Sequence, residues 1–207
     1  MSSDTASAGA ASLPGNFSIH TVAVIGAGVA GRSFALACAA AGFAVVVEDV
    51  MPANLRRAQE QYADLELLNS AAPGSPGRLE VVLTVEAAVR TADLAVDFVP
   101  DELESKLEIF CMVDRMAPPK TILLTPSNAQ SITDLASCTY RADRCFAVHG
   151  SLAGLANPSS NEPLRLLHPA ATAPAALAAV SAFLQALGGE VRAEVDPVPP
   201  MLMKNLR

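Results

Sequence analysis

Residues 21–49 read TVAVIGAGVAGRSFALACAAAGFAVVVED, and the order of residue types in this stretch decides the fold. Thr21–Ile25 is a continuous apolar run of strand length, as expected for a strand buried on both faces of a parallel sheet. Gly26-Ala27-Gly28-Val29-Ala30-Gly31 follows as G-x-G-x-x-G. The Ala-rich stretch Val29–Ala41, closed by Gly42, predicts a helix. Phe43–Glu48 is a second buried strand, ending on the acid pair Glu48-Asp49.

Each part of this unit has a separate physical role. The first glycine permits the tight turn out of the strand, the second lets a pyrophosphate approach the backbone, and the third lets helix and strand pack closely. The helix that opens there aims free N–H groups and its positive end at the phosphates. A carboxylate after the second strand accepts hydrogen bonds from ribose hydroxyls and repels a 2′-phosphate, which favours NAD over NADP. Glu48 and Asp49 point to opposite sides of the strand, so one of them serves. A Glu at this strand end also fits an FAD site, which keeps a flavin alternative open. Arg56 and Arg57 read as solvated helix charges.

Outward from this unit, strands and helices continue to alternate. Strands are predicted at Leu79–Thr84, Leu94–Val99, Thr121–Thr125, Cys145–His149 and Glu190–Val195, with an edge strand at Leu164–Leu167. Helices are predicted from Pro52 onward and at Glu86–Arg90, Glu102–Met116, Ile132–Ala136 and Pro174–Leu187. The fold class is therefore α/β: a Rossmann-type, doubly wound and mostly parallel sheet. Residues 1–18 are small and polar and read as a disordered tail, and 19–198 as one dinucleotide-binding domain.

With a net charge of −7 and no basic run, the chain lacks what successive phosphates require, which excludes nucleic acid and anionic membrane as partners. No apolar run reaches the ~20 residues that span a bilayer. Cys38, Cys111, Cys138 and Cys145 form no C-x-x-C pair and have no His at metal-ligand spacing, so they read as reduced thiols of a cytoplasmic protein without a metal.

Several ordered segments give the chain a resemblance to the NAD-binding domain of the 3-hydroxyacyl-CoA dehydrogenase family. VAVIGAGVAGRSFALACAAAGFAVVVED matches that family's VAVIGAGxMGxGIAxxxAxAGxxVVLxD without a gap, which puts Asp49 on the ribose. ADLAVDFVPDELESKLEIF (92–110), PPKTILLTPSNAQSIT and RCFAVH…NP match further family segments. The resemblance implies NAD as cofactor, with Asp101 and Lys106 at its nicotinamide end. It implies a 3-hydroxyacyl thioester, on CoA or a carrier protein, as a small-molecule or carrier-bound substrate. His149 corresponds to the family's general base or acid, and Ser127 and Asn128 to residues that hold the substrate oxygen, with Ser131 as a substitute.

The chain also departs from the family pattern. Five residues are inserted between His149 and Asn157-Pro158, and counting on from there puts Leu166 at the place of the Glu that orients the His, with Glu162 as a stand-in. Residues 51–78 leave room for one helix where the family has a helical hairpin, and residues 199–207 read as the start of a C-terminal helical domain that is missing or truncated. These departures motivate an alternative: a catalytically impaired NAD-binding homologue. The oligomeric state does not follow from the sequence.

Overall fold

The computed structural model describes residues 17–69, 77–152 and 163–198. The elements run β1 (Thr21–Ile25), α1 (Val29–Ala40), β2 (Ala44–Glu48), α2 (Pro52–Asn69), β3 (Leu79–Val82), α3 (Val85–Val89) and β4 (Leu94–Asp97). They continue with α4 (Leu103–Met116), β5 (Ile122–Pro126), α5 (Ile132–Ser137), β6 (Cys145–His149), β7 (Leu164–His168), α6 (Pro174–Ala186) and β8 (Val191–Val195). The predicted elements are all present; β3 and β4 each stop two residues earlier than their apolar runs.

The strands form one eight-stranded sheet in the order β3-β2-β1-β4-β5-β6-β7-β8. β1 to β6 are mutually parallel, β7 runs antiparallel to β6, and β8 pairs parallel with β7. The strand order reverses between β1 and β4, and a crevice opens there beyond the carboxyl ends of the strands. The predicted edge strand β7 is interior; the edges are β3 and β8. β8 carries the polar alternation of an edge, through Arg192 and Glu194.

Because the central strands are apolar on both faces, each face builds its own core. Val22, Val24, Val47, Leu94, Ile122, Phe146 and Leu166 pack with α1, α2 and α6. Ala23, Ile25, Ala95, Leu123, Ala147 and Leu167 pack with α3, α4 and α5. Phe17, assigned by composition to the tail, packs against the first core, and the Arg144 guanidinium lies 5.7 Å from its ring. Cys38 and Cys145 are free thiols inside the cores, and burial raises the pKa of both. Among the described residues no helix is long and apolar enough to cross a membrane.

The glycine turn depends on two positions that admit no side chain. Gly26 has φ +96°, a left-handed conformation open to glycine. A Cβ on Gly31 would lie 1.9 Å from the Gly26 carbonyl oxygen, so α1 and β1 meet only because that atom is missing. Gly31→Ala is therefore expected to cost about 1–3 kcal/mol by overpacking. In a domain of this size that lowers the melting temperature by several degrees, measurable by calorimetry or circular dichroism.

Candidate functional site

One half of the crevice lies at the ends of β1 and β2. A cleft of ≈ 490 Å³ opens here, lined by Gly28, Asp49, Asn54, Val85, Val99 and Ile109 among others. Its lining combines acids and an amide with apolar side chains, a mixture that suits a small-molecule ligand.

Asp49 is 8% exposed and organises this half. Its Oδ2 accepts hydrogen bonds from the Ala27 N–H (2.7 Å) and the Asn54 Nδ2 (3.0 Å), and its Oδ1 accepts from the Met51 N–H (2.7 Å). A carboxylate oxygen accepts about two hydrogen bonds, so Oδ2 is filled and Oδ1 keeps one acceptor position open. Glu48 is also buried beside the cleft, and its burial, together with the Asp49 charge, raises its pKa above the ordinary carboxylate value.

The glycine turn lies between the two halves. Gly28 caps α1 without a side-chain hydrogen bond, and the first turn of the helix carries no acid. The first helical N–H groups therefore face the crevice together with the positive end of the helix. A Cβ built on Gly28 meets nothing within 4 Å, in contrast to Gly31. The predicted set Gly26, Ala27, Gly28, Val29, Ala30 and Gly31 thus forms a cradle whose open side is Gly28. Arg32 reaches back to donate to the Ala27 carbonyl at 2.7 Å and stiffens the turn from beneath.

The other half lies at the ends of β4, β5 and β6. Asp101 bridges two of the loops: its Oδ1 accepts from Ser127 Oγ (2.5 Å) and its Oδ2 from the Asn128 N–H (3.1 Å). Asn128 itself is exposed. His149 is half-buried at the end of β6. Its pKa is lowered below the ordinary histidine value by desolvation and then by the Arg165 charge, against opposing contributions from Asp196, Asp101 and Glu194.

Three expectations about side chains need correction. Ser127 is not a free hydroxyl: besides donating to Asp101 it accepts from the Ala129 N–H (3.3 Å) and the Gln130 N–H (3.0 Å), so it builds the turn after β5. Ser131 likewise caps α5, accepting from the Asp134 N–H and donating to Asp196. Lys106 does not reach the crevice surface. It is 0% exposed and donates to Asp97 Oδ1 (2.7 Å) and the Pro126 carbonyl (3.2 Å), forming an ion pair below the crevice floor.

The residue facing His149 also differs from the one that counting selects. β6 and β7 pair so that His149 is opposite Arg165, while Leu166 is opposite Val148 and lies in the core. Asn157-Pro158 and Glu162 lie outside the described residues. His20 is exposed, and His168 Nδ1 lies 2.9 Å from the Pro169 carbonyl, away from the crevice.

Sheet order, glycine turn and acid define a dinucleotide-binding domain of the Rossmann class. The family described as 3-hydroxyacyl-CoA dehydrogenase, NAD binding domain, matches residues 21–193, and the chain belongs to it. A probable 3-hydroxybutyryl-CoA dehydrogenase from Bacillus subtilis is 32% identical over 139 residues, 63% of this chain and 48% of that protein. An L-carnitine dehydrogenase from Burkholderia mallei is 31% identical over 175 residues, 82% of this chain and 53% of that protein. A solved diketoreductase superposes with a TM-score of 0.73 at 26% identity, covering 91% of this chain and 69% of its own. The chain thus spans about half the length of these two curated relatives. The NAD match replaces the flavin alternative, which rested on Glu48 and the wording of the turn.

Two variants test this geometry. Gly28→Ala is expected to leave the melting temperature unchanged while weakening NAD⁺ affinity in calorimetry, because its methyl group occupies the open side of the cradle. Lys106→Met leaves the Asp97 carboxylate buried without its cation and is expected to destabilise the fold by about 3–5 kcal/mol in denaturant unfolding.

Proposed function

We propose that this chain is the cofactor domain of an NAD-dependent oxidoreductase that interconverts a 3-hydroxyacyl thioester, on CoA or a carrier protein, or a related 3-hydroxy acid, with its 3-keto form. The observation that carries this reading is the half-buried His149 at the crevice end of β6, within the influence of the Asp101 carboxylate. NAD, when bound, supplies the hydride acceptor. Asp49 holds the ribose through its remaining acceptor position, and the start of α1 holds the pyrophosphate.

His149 takes the proton from the substrate hydroxyl in oxidation and returns it in reduction. Asn128, exposed beside Asp101, offers its amide to the substrate oxygen. Ser127 supports Asp101 from below, and through it the loop that carries Asn128. Asp101 borders the nicotinamide end, and Lys106 acts only through the floor beneath it. The relatives' names include both a CoA ester and carnitine, so both are substrates to test. A cytoplasmic location accompanies the reading of the four cysteines as reduced thiols.

The test is NADH formation from 3-hydroxybutyryl-CoA and from L-carnitine by the purified protein. His149→Gln is expected to lower kcat by about 10²–10⁴-fold, the range of a lost general base. Since the neutral imidazole is the base, kcat/KM for oxidation should rise with pH through a midpoint below the usual histidine value of about 6.5. NAD⁺ binding without His149-dependent turnover would instead identify a binding protein.

A further inference from the structure

The residue opposite His149 is an arginine held in place by an acid. Residues directly opposite in an antiparallel pair project from the same face of the sheet, so Arg165 and His149 are side-by-side neighbours. The guanidinium donates to both oxygens of Glu194: Nε at 3.2 Å to each, and Nη2 at 2.7 Å to Oε2. A two-point fork of this kind fixes the plane of the guanidinium as well as its distance. The two side chains are 46% and 41% exposed, so the pair contributes little to stability. Its effect lies in where it places charge.

Among the described residues, four charged groups act electrostatically on His149. They are Arg165 from β7, Glu194 from β8, Asp196 just after β8, and Asp101 from the loop after β4. Asp101 is committed to Ser127 and Asn128, and Asp196 to Ser131, the Thr133 N–H and the Val198 N–H. Glu194 is the acid paired directly with the cation next to His149.

We propose that the Arg165–Glu194 pair is the positioning element for His149: Arg165 sets the imidazole to receive a proton rather than to hold one, and Glu194 sets how strongly it does so. The proposal rests on the reading of His149 as the proton-transfer residue. In the oxidation step the substrate O–H bond breaks and its proton goes to an imidazole nitrogen. The carbinol C–H bond breaks with its electron pair, which leaves as hydride to NAD⁺, and a C=O bond forms. A carboxylate opposite His149 would favour the imidazolium. An arginine there favours the neutral imidazole, the form that can accept the substrate proton.

The test uses NMR titration of the imidazole Cε1–H signals in the 207-residue chain. It has three histidines, and His149→Gln assigns the relevant signal. Arg165→Gln leaves Glu194 unpaired and is expected to raise the His149 midpoint by roughly half a pH unit, the scale of one charge a few ångströms away near the surface. Glu194→Gln leaves Arg165 unopposed and is expected to lower it by a similar amount. Arg165→Lys keeps the charge and should restore most of the wild-type midpoint. Opposite shifts with rescue by lysine support the proposal; midpoints that stay fixed or move together overturn it. No substrate enters this titration, so its failure is distinct from failure of the proposed function. If the midpoints separate but His149→Gln protein turns over as fast as wild type, the electrostatic coupling stands and the proton-transfer role falls.

Discussion

The hydrogen bond from the Ala27 N–H to the Asp49 carboxylate, 2.7 Å long, joins the two features on which cofactor recognition depends. It ties the end of β2 to the middle of the glycine turn, and the Gly26 N–H to the Glu48 carbonyl (2.8 Å) makes a second tie one residue earlier. Asn54 braces the same carboxylate oxygen from α2, and Arg32 braces the turn from inside α1. The acid is thus held by backbone and side-chain donors before any ligand arrives. A pre-organised acceptor loses little entropy on binding.

The floor of the second half is built on a different plan. Lys106 and Asp97 form an enclosed ion pair under the ends of β4 and β5, with Lys106 also bonded to the Pro126 carbonyl. Directly above, Ser127 and Asp101 link the loops that follow those strands. Buried charges require paired and hydrogen-bonded partners, so this stack resists local rearrangement. Among the described residues at the ends of β5 and β6, Asn128 is exposed and His149 half-buried, so both keep access to solvent. Fixed supports below and few available groups above suit a site that must hold a proton donor and acceptor in register.

Much of this was legible in the sequence because the signals were local. The apolar run, three glycines, Ala-rich helix and terminal acid occupy adjacent positions and obey simple steric rules, so strand, turn and helix could be read directly, while the choice of Asp49 over Glu48 came from the family resemblance. Side-chain saturation was less legible. Ser127 sits where a catalytic hydroxyl was expected, yet its donor and acceptors are consumed by Asp101 and by two backbone N–H groups of its own turn. Lys106, at the fourth position of α4, was expected at the nicotinamide end by the family resemblance, yet its ammonium is buried on Asp97 and the Pro126 carbonyl. Strand register was hidden by the insertion after His149. Counting residues across it selected Leu166, but side chains alternate along a strand, and a one-residue slip exchanges core for crevice. Arg165 was the residue that mattered. Asn54 carried no signal beyond following Asp49 by one helical turn and a step.

On the reading proposed above, Asp49 keeps one acceptor position for the ribose and its negative charge selects NAD over NADP. Calorimetric titration of the chain with NAD⁺ and NADP⁺ at equal ionic strength measures this selection. NADP⁺ is expected to bind at least about tenfold more weakly, the scale of one charge repulsion near a protein surface. NADP⁺ binding as tightly as NAD⁺ would overturn the role of Asp49.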